Sequence, residues 1–161
     1  MYDKTTLSEP ALINRIEQQC QLNGIRLTSK RRRIMMVLLQ VNRALSAYDI
    51  AEQYKRQYKE SIPVMSAYRM LDFLTHYELA HKLVSINRYI ACSHAACKHD
   101  HQQTQFLICN ICEAVQEINA SNNAVQAISD ASKKVLFSVA QAHIELHGTC
   151  QTCKHTQAAI V

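Results

Sequence analysis

The chain has 161 residues, with 18 Lys and Arg against 13 Asp and Glu. That length holds one large domain or two small ones. No run of about 18 apolar residues occurs, which excludes a membrane-spanning helix, and the polar Met1–Pro10 segment lacks the apolar core of a signal peptide, so the cytoplasm is the expected compartment.

The charge is unevenly divided. Through Arg88 there are 14 basic against 8 acidic residues, a net of 14 − 8 = +6; from Tyr89 onward the balance is 4 − 5 = −1. A basic first half suits a polyanion, and nucleic acid is the partner it suggests. Cysteine and histidine divide the other way. Six of the seven Cys follow residue 90 and seven of the eight His follow residue 80. In a reducing compartment such thiols point to metal and not to disulfides.

In chain order, Ile13, Ile16 and Cys20 space the apolar stripe of a first helix, and Gly24 falls where its C-cap is expected. Thr28 is placed to N-cap a second helix that buries Ile34, Val37, Leu38 and Val41. Ser46 and Asp49 have capping-box spacing before a third, with Ala47, Ile50, Ala51 and Tyr54 inward. Pro63 fits the first turn of a fourth, whose inner face is Ala67, Met70, Leu71 and Leu74. The period then changes to that of strands, over Ala80–Ser85 and Arg88–Cys92 around a turn at Ile86-Asn87. Four helices and a hairpin make a winged helix-turn-helix. After a His-rich loop, strands are expected at Gln105–Cys109, Ala114–Ile118 and Val139–Leu146, with a helix over Ser121–Lys134. The predicted fold class is α+β. The winged helix spans 1–90, and a C-terminal α/β domain spans 91–161.

Cys109-x-x-Cys112 and Cys150-x-x-Cys153 are the strongest local motif. Two residues between thiols let both sulfurs of a knuckle reach one ion, and two knuckles complete a closed tetrahedral set. With no open position, such a zinc site is structural. A second group, His81, Cys92, His94, Cys97, His99, His101 and Glu117, supplies the nitrogen, sulfur and oxygen donors of a further zinc site. The signatures of zinc hydrolases and deaminases, His-Glu-x-x-His and His-x-Glu with Pro-Cys-x-x-Cys, are absent, and no enzyme is expected.

On the fourth helix Met65, Arg69, Asp72 and His76 lie opposite the apolar stripe, a face that could enter a major groove. Arg69 can donate two hydrogen bonds to guanine, or form a surface ion pair with Asp72.

Taken in order, Gly24-Ile-Arg-Leu-Thr-Ser-Lys-Arg31, Leu45-Ser-Ala-Tyr-Asp49, Ala67-Tyr-Arg-Met-Leu-Asp-Phe-Leu74, Ala80 to Cys92, Phe106-Leu-Ile-Cys-Asn-Ile-Cys112 and His143 to Cys150 resemble the ferric uptake regulator family of bacterial metal-responsive repressors, and within it the zinc-sensing branch. The likeness covers about residues 11–156. It implies a homodimer that, when metal-loaded, binds an inverted-repeat operator and controls zinc uptake genes; a relative sensing iron or manganese is the alternative. It implies two Zn²⁺ per chain. One is structural, at Cys109, Cys112, Cys150 and Cys153. The other is sensory, at His81, Cys92 and Glu117 with His101, or His99 in its place. It supports Arg69 and Tyr48 as base-contacting residues and Tyr68 as a backbone neighbour, with Arg26, Thr28, Arg31 and Arg32 on phosphate. The chain departs from the family in the additional Cys97 and in Glu113, where glycine is usual.

Overall fold

A computed structural model describes residues 8–41, 43–93, 104–119, 122–139 and 144–158. The chain divides into two compact units, Met1–His99 and Asp100–Val161.

Unit 1 opens with helix α1 (Glu9–Leu22). Its end is a Schellman motif. Gly24 takes φ +70°, the Ile25 N–H donates to the Cys20 carbonyl at 2.8 Å, and the Gly24 N–H donates to that of Gln21 at 3.0 Å. A side chain at position 24 would be strained in that left-handed conformation, which is why glycine stands there. Helix α2 (Ser29–Gln40) starts on Thr28, whose hydroxyl accepts from the Arg31 N–H. Helix α3 (Ala47–Tyr58) starts on a full capping box: Ser46 Oγ accepts from the Asp49 N–H at 3.1 Å, and the Asp49 carboxylate accepts from the Ser46 N–H at 3.0 Å. Helix α4 (Val64–His76) begins one residue later than the sequence suggests, so that Pro63 is its N-cap. The inward stripes of all four helices meet in one core, with Ile13, Ile16, Ile34, Met35, Leu38, Ile50, Tyr54, Leu71 and Leu74 wholly buried.

Strands β1 (Ala80–Leu83) and β2 (Arg88–Ala91) form the antiparallel wing. β1 stops earlier than predicted because the turn needs Val84 to Asn87: Asn87 adopts φ 48° and donates to the Val84 carbonyl at 3.3 Å; β2 begins at Arg88 as predicted and ends at Ala91, one residue before the expected Cys92. Leu45 and Tyr89 exchange two backbone hydrogen bonds, at 2.9 and 2.7 Å, which ties the segment before α3 to β2.

Unit 2 contains a three-stranded sheet of order β4-β3-β5 with β3 (Thr104–Cys109), β4 (Val115–Asn119) and β5 (Ile144–Gly148), and helices α5 (Asn122–Lys134) and α6 (Gln151–Ala158). β3 runs antiparallel to β4 and parallel to β5. β5 starts at Ile144, later than the expected Val139, and Val139 is outside any strand. Helix α6 was not foreseen. Among its side chains that are described, only Cys153 is buried, so it offers no apolar stripe to recognise.

Candidate metal centre and nucleic-acid interface

The parallel pairing of β3 with β5 builds the four-cysteine cluster. It sets Cys109, the last residue of β3, opposite Gly148. The first knuckle then turns back through Glu113 to β4, and the second opens α6. The Sγ atoms of Cys109, Cys112, Cys150 and Cys153 all lie within 4.8 Å of one another. Zinc–sulfur bonds of about 2.3 Å in a tetrahedron set thiolates about 3.8 Å apart, and Cys112 and Cys150 stand at 3.7 Å. The donor set therefore fits a tetrahedral thiophilic cation. Backbone N–H groups of Cys112, Cys150 and Ile111 aim at Cys109 and hold its thiol down to about 6, whereas hydrogen bonding to Cys150 and Cys112 pushes Cys153 up to about 12. Four crowded thiols cannot all ionise without a cation among them. Glu113, at φ 58°, occupies the left-handed conformation that glycine would take without strain; the turn accepts a positive φ on a glutamate.

A brace beside this cluster escaped the sequence reading. Asn110, inside the first knuckle, donates its N–H to the Gly148 carbonyl at 2.8 Å, and its side-chain oxygen is 3.1 Å from His147 Nδ1. The signal available was a polar residue within the knuckle and a histidine three positions before Cys150.

The second donor group begins in unit 1. In the β1–β2 register His81 faces Ile90, and the Cys92 N–H donates to the Leu79 carbonyl at 3.0 Å. Cys92 is two residues beyond Ile90, so it projects from the same face of the hairpin as His81. Both side chains are buried, and their ligand atoms lie within 4.8 Å. Glu117 is half-buried on β4 of unit 2, paired with Phe106. His101 and His99 lie outside the described residues.

The outer face of α4 is as expected: Met65, Arg69, Asp72 and His76 are exposed. Tyr48, in the first turn of α3, is 67% exposed, whereas Tyr68 is half-buried. Arg26 and Thr28 are exposed at the start of α2. Two further arginines of this group are already engaged. Arg31 lies over the Phe73 ring, and Arg32 bonds Glu17 and Asn14 of α1, each at 3.1 Å. Arg33 and Lys30 both reach Glu60, at 2.7 and 2.9 Å, which clasps α2 to the segment before α4.

The sequence profile of the ferric uptake regulator family matches residues 22–147. The chain belongs to the ferric uptake regulator family. It is thus a regulator and not an enzyme. The zinc uptake regulation proteins of Escherichia coli (strain K12) and Shigella flexneri are each 30% identical to it over 156 residues, covering 97% of this chain and 88% of theirs. Among solved structures, a zinc uptake regulator complexed with zinc and DNA is 26% identical, with a TM-score of 0.84 over 95% of this chain and 99% of that one. Holo XcZur, also 26% identical, gives 0.76 over 92% and 99%. These likenesses carry the α+β class, with an N-terminal winged helix and a C-terminal dimerisation domain. No helix among the described residues is long and apolar enough to cross a membrane.

Proposed function

We propose that this chain is a zinc-responsive transcriptional repressor that binds an inverted-repeat operator as a metal-loaded homodimer and controls zinc uptake genes in the cytoplasm. The observation that carries the reading is the His81–Cys92 pair on the buried face of the wing. Metal donors built into the DNA-binding unit itself let that unit respond to metal.

Two zinc ions per chain complete the proposal. Cys109, Cys112, Cys150 and Cys153 hold the structural ion; being closed, that set stabilises the fold. His81 and Cys92, with Glu117 and His101 (or His99), hold the sensory ion. Zinc bound at this second set would fix the wing hairpin that carries His81 and Cys92, so that the fraction of DNA-competent dimers depends on metal occupancy. The thiolate of Cys92 favours zinc over manganese, which prefers oxygen donors.

Unit 2 supports the homodimer. Val135, Phe137 and Leu146 are exposed, and Leu136 is 98% exposed, apolar side chains that a partner surface would cover. Two copies related by a twofold axis present two α4 helices, which calls for an inverted repeat. Arg69 and Tyr48 then face base edges, Tyr68 backs them, and Arg26 and Thr28 meet phosphate, with Arg31 and Arg32 offering what their internal contacts leave available.

The test is operator affinity with and without the second zinc, on wild type and on Cys92→Ser. Zinc should tighten wild-type binding and leave Cys92→Ser weak. Equal wild-type affinity in both states would make the chain a DNA-binding protein that senses nothing through this site.

A further inference from the structure

Arg31 and Phe73 come from different helices, and the guanidinium of one sits over the ring of the other. The guanidinium carbon of Arg31 is 3.5 Å from the Phe73 ring centroid. The Arg31 N–H caps onto Thr28 at 3.5 Å, and its Nη1 donates to the Arg26 carbonyl at 3.4 Å. The guanidinium is therefore held both by the backbone just before α2 and by the Phe73 ring of α4. Phe73 also belongs to an aromatic cluster: its ring is tilted by 56° to that of Tyr77 with centroids 4.6 Å apart, and Tyr77 in turn meets His76 edge-on at 4.8 Å. Phe73 also follows Arg69 by four residues, one turn along the same side of α4. A residue holding Phe73 thus holds the turn that presents Arg69.

We infer that Arg31 is a positioning residue for operator recognition: stacked on Phe73, it fixes how α4 offers Arg69 to the bases, a role separate from any charge it lends to phosphate. The inference rests on the DNA-binding reading above. Its physical basis is the planar guanidinium, which can lie flat on an aromatic ring while its edge N–H groups bond elsewhere; a lysine ammonium keeps the charge but not that geometry.

The consequence is a dissociation of charge from selectivity. Arg31→Lys should lower the preference for operator over random duplex by about 3-fold to 10-fold while leaving the slope of affinity against salt unchanged. Phe73→Leu, which removes no charge, should produce the same loss. The double variant should lose no more than either single one, because both break one contact. Phe73→Tyr retains the ring and should behave as wild type.

The experiment is a binding titration of zinc-loaded full-length protein against operator and random duplex across a salt series, with thermal melting of each variant alongside. Losses that multiply in the double variant would overturn the inference. So would a Phe73→Leu protein that keeps full selectivity, or an Arg31→Lys protein that changes only the salt slope. If Phe73→Leu does not fold, the Arg31→Lys and Phe73→Tyr pair still decides. A wild type that does not distinguish operator from random duplex would instead refute the DNA-binding reading.

Discussion

His81 and Cys92 stand diagonally across the β1–β2 hairpin, eleven residues apart in sequence yet on one buried face. The four-residue turn and the antiparallel register make that spacing a same-face spacing. His81→Ala or Cys92→Ser should therefore leave dimer and structural zinc intact and abolish zinc-dependent operator binding. Linkage adds a reciprocal requirement: operator DNA must tighten zinc binding by the factor that zinc tightens DNA binding, a coupling of about 1–3 kcal/mol. Competitive zinc titration with and without operator measures it. Different factors in the two directions would show that the zinc being titrated is not the one that controls DNA.

The closed cysteine set predicts a different phenotype. Cys150→Ser removes a ligand from the second knuckle, and isolated structural zinc sites contribute on the order of 10 kcal/mol to folding. One zinc per chain should be lost, together with the cooperative melting of unit 2 and the dimer. Metal analysis with sedimentation checks this, and a dimer of full zinc content would remove the structural role.

Arg69 and Arg26 should separate base from phosphate contacts. Arg69→Ala should cost about 1–3 kcal/mol on operator and relax the preference at one guanine per half-site. Arg26→Ala should weaken all duplexes alike and flatten the salt dependence by about one phosphate. Quantitative footprinting on operator variants distinguishes them; equal losses for Arg69→Ala on operator and random DNA would reduce it to a phosphate contact.

The capping box gives a pH prediction. Hydrogen bonds from Ser46 hold the Asp49 carboxyl below its ordinary value. A carboxyl depressed in the folded state contributes stability that is fully present above its unfolded value, about 3.9, and that disappears as pH falls through the folded value. Unit 1 should therefore lose stability as the solution is taken below about pH 4. Ser46→Ala should cost about 1 kcal/mol at neutral pH and flatten that acid dependence. Urea unfolding of unit 1 at a series of pH values reads both; parallel pH profiles for the two proteins would exclude the capping box as the source.

The helices of unit 1 were legible because boundary signals punctuate them: Gly24 ends α1, Thr28 starts α2, the Ser46–Asp49 box starts α3, and Pro63 precedes α4. The apolar periods between them then place the core. The four-cysteine cluster was legible from spacing alone, since two residues between thiols admit few other uses. What escaped was carried by tertiary contact. Helix α6 has Cys153 as its buried anchor and no stripe. The extension of β5 to Gly148, beyond the expected Leu146, goes with its pairing to β3, which no local pattern encodes. Phe73 reads as one more apolar residue until Arg31 is seen lying on it.

The parallel pairing of β3 with β5 also sets a timetable. Gln105 meets Ile144 and Cys109 meets Gly148 only after the chain between them has been made and closed into a loop, and such non-local pairing is slow compared with helix formation. The first knuckle is thus complete long before the second arrives. A half-formed two-thiolate site can gather zinc early, but it can be sealed only at the end of folding. Once sealed, the proposed structural ion should be slow to leave, because two of its four ligands flank that parallel pair. Zinc at the proposed structural position should therefore exchange more slowly than zinc at the proposed His81–Cys92 set.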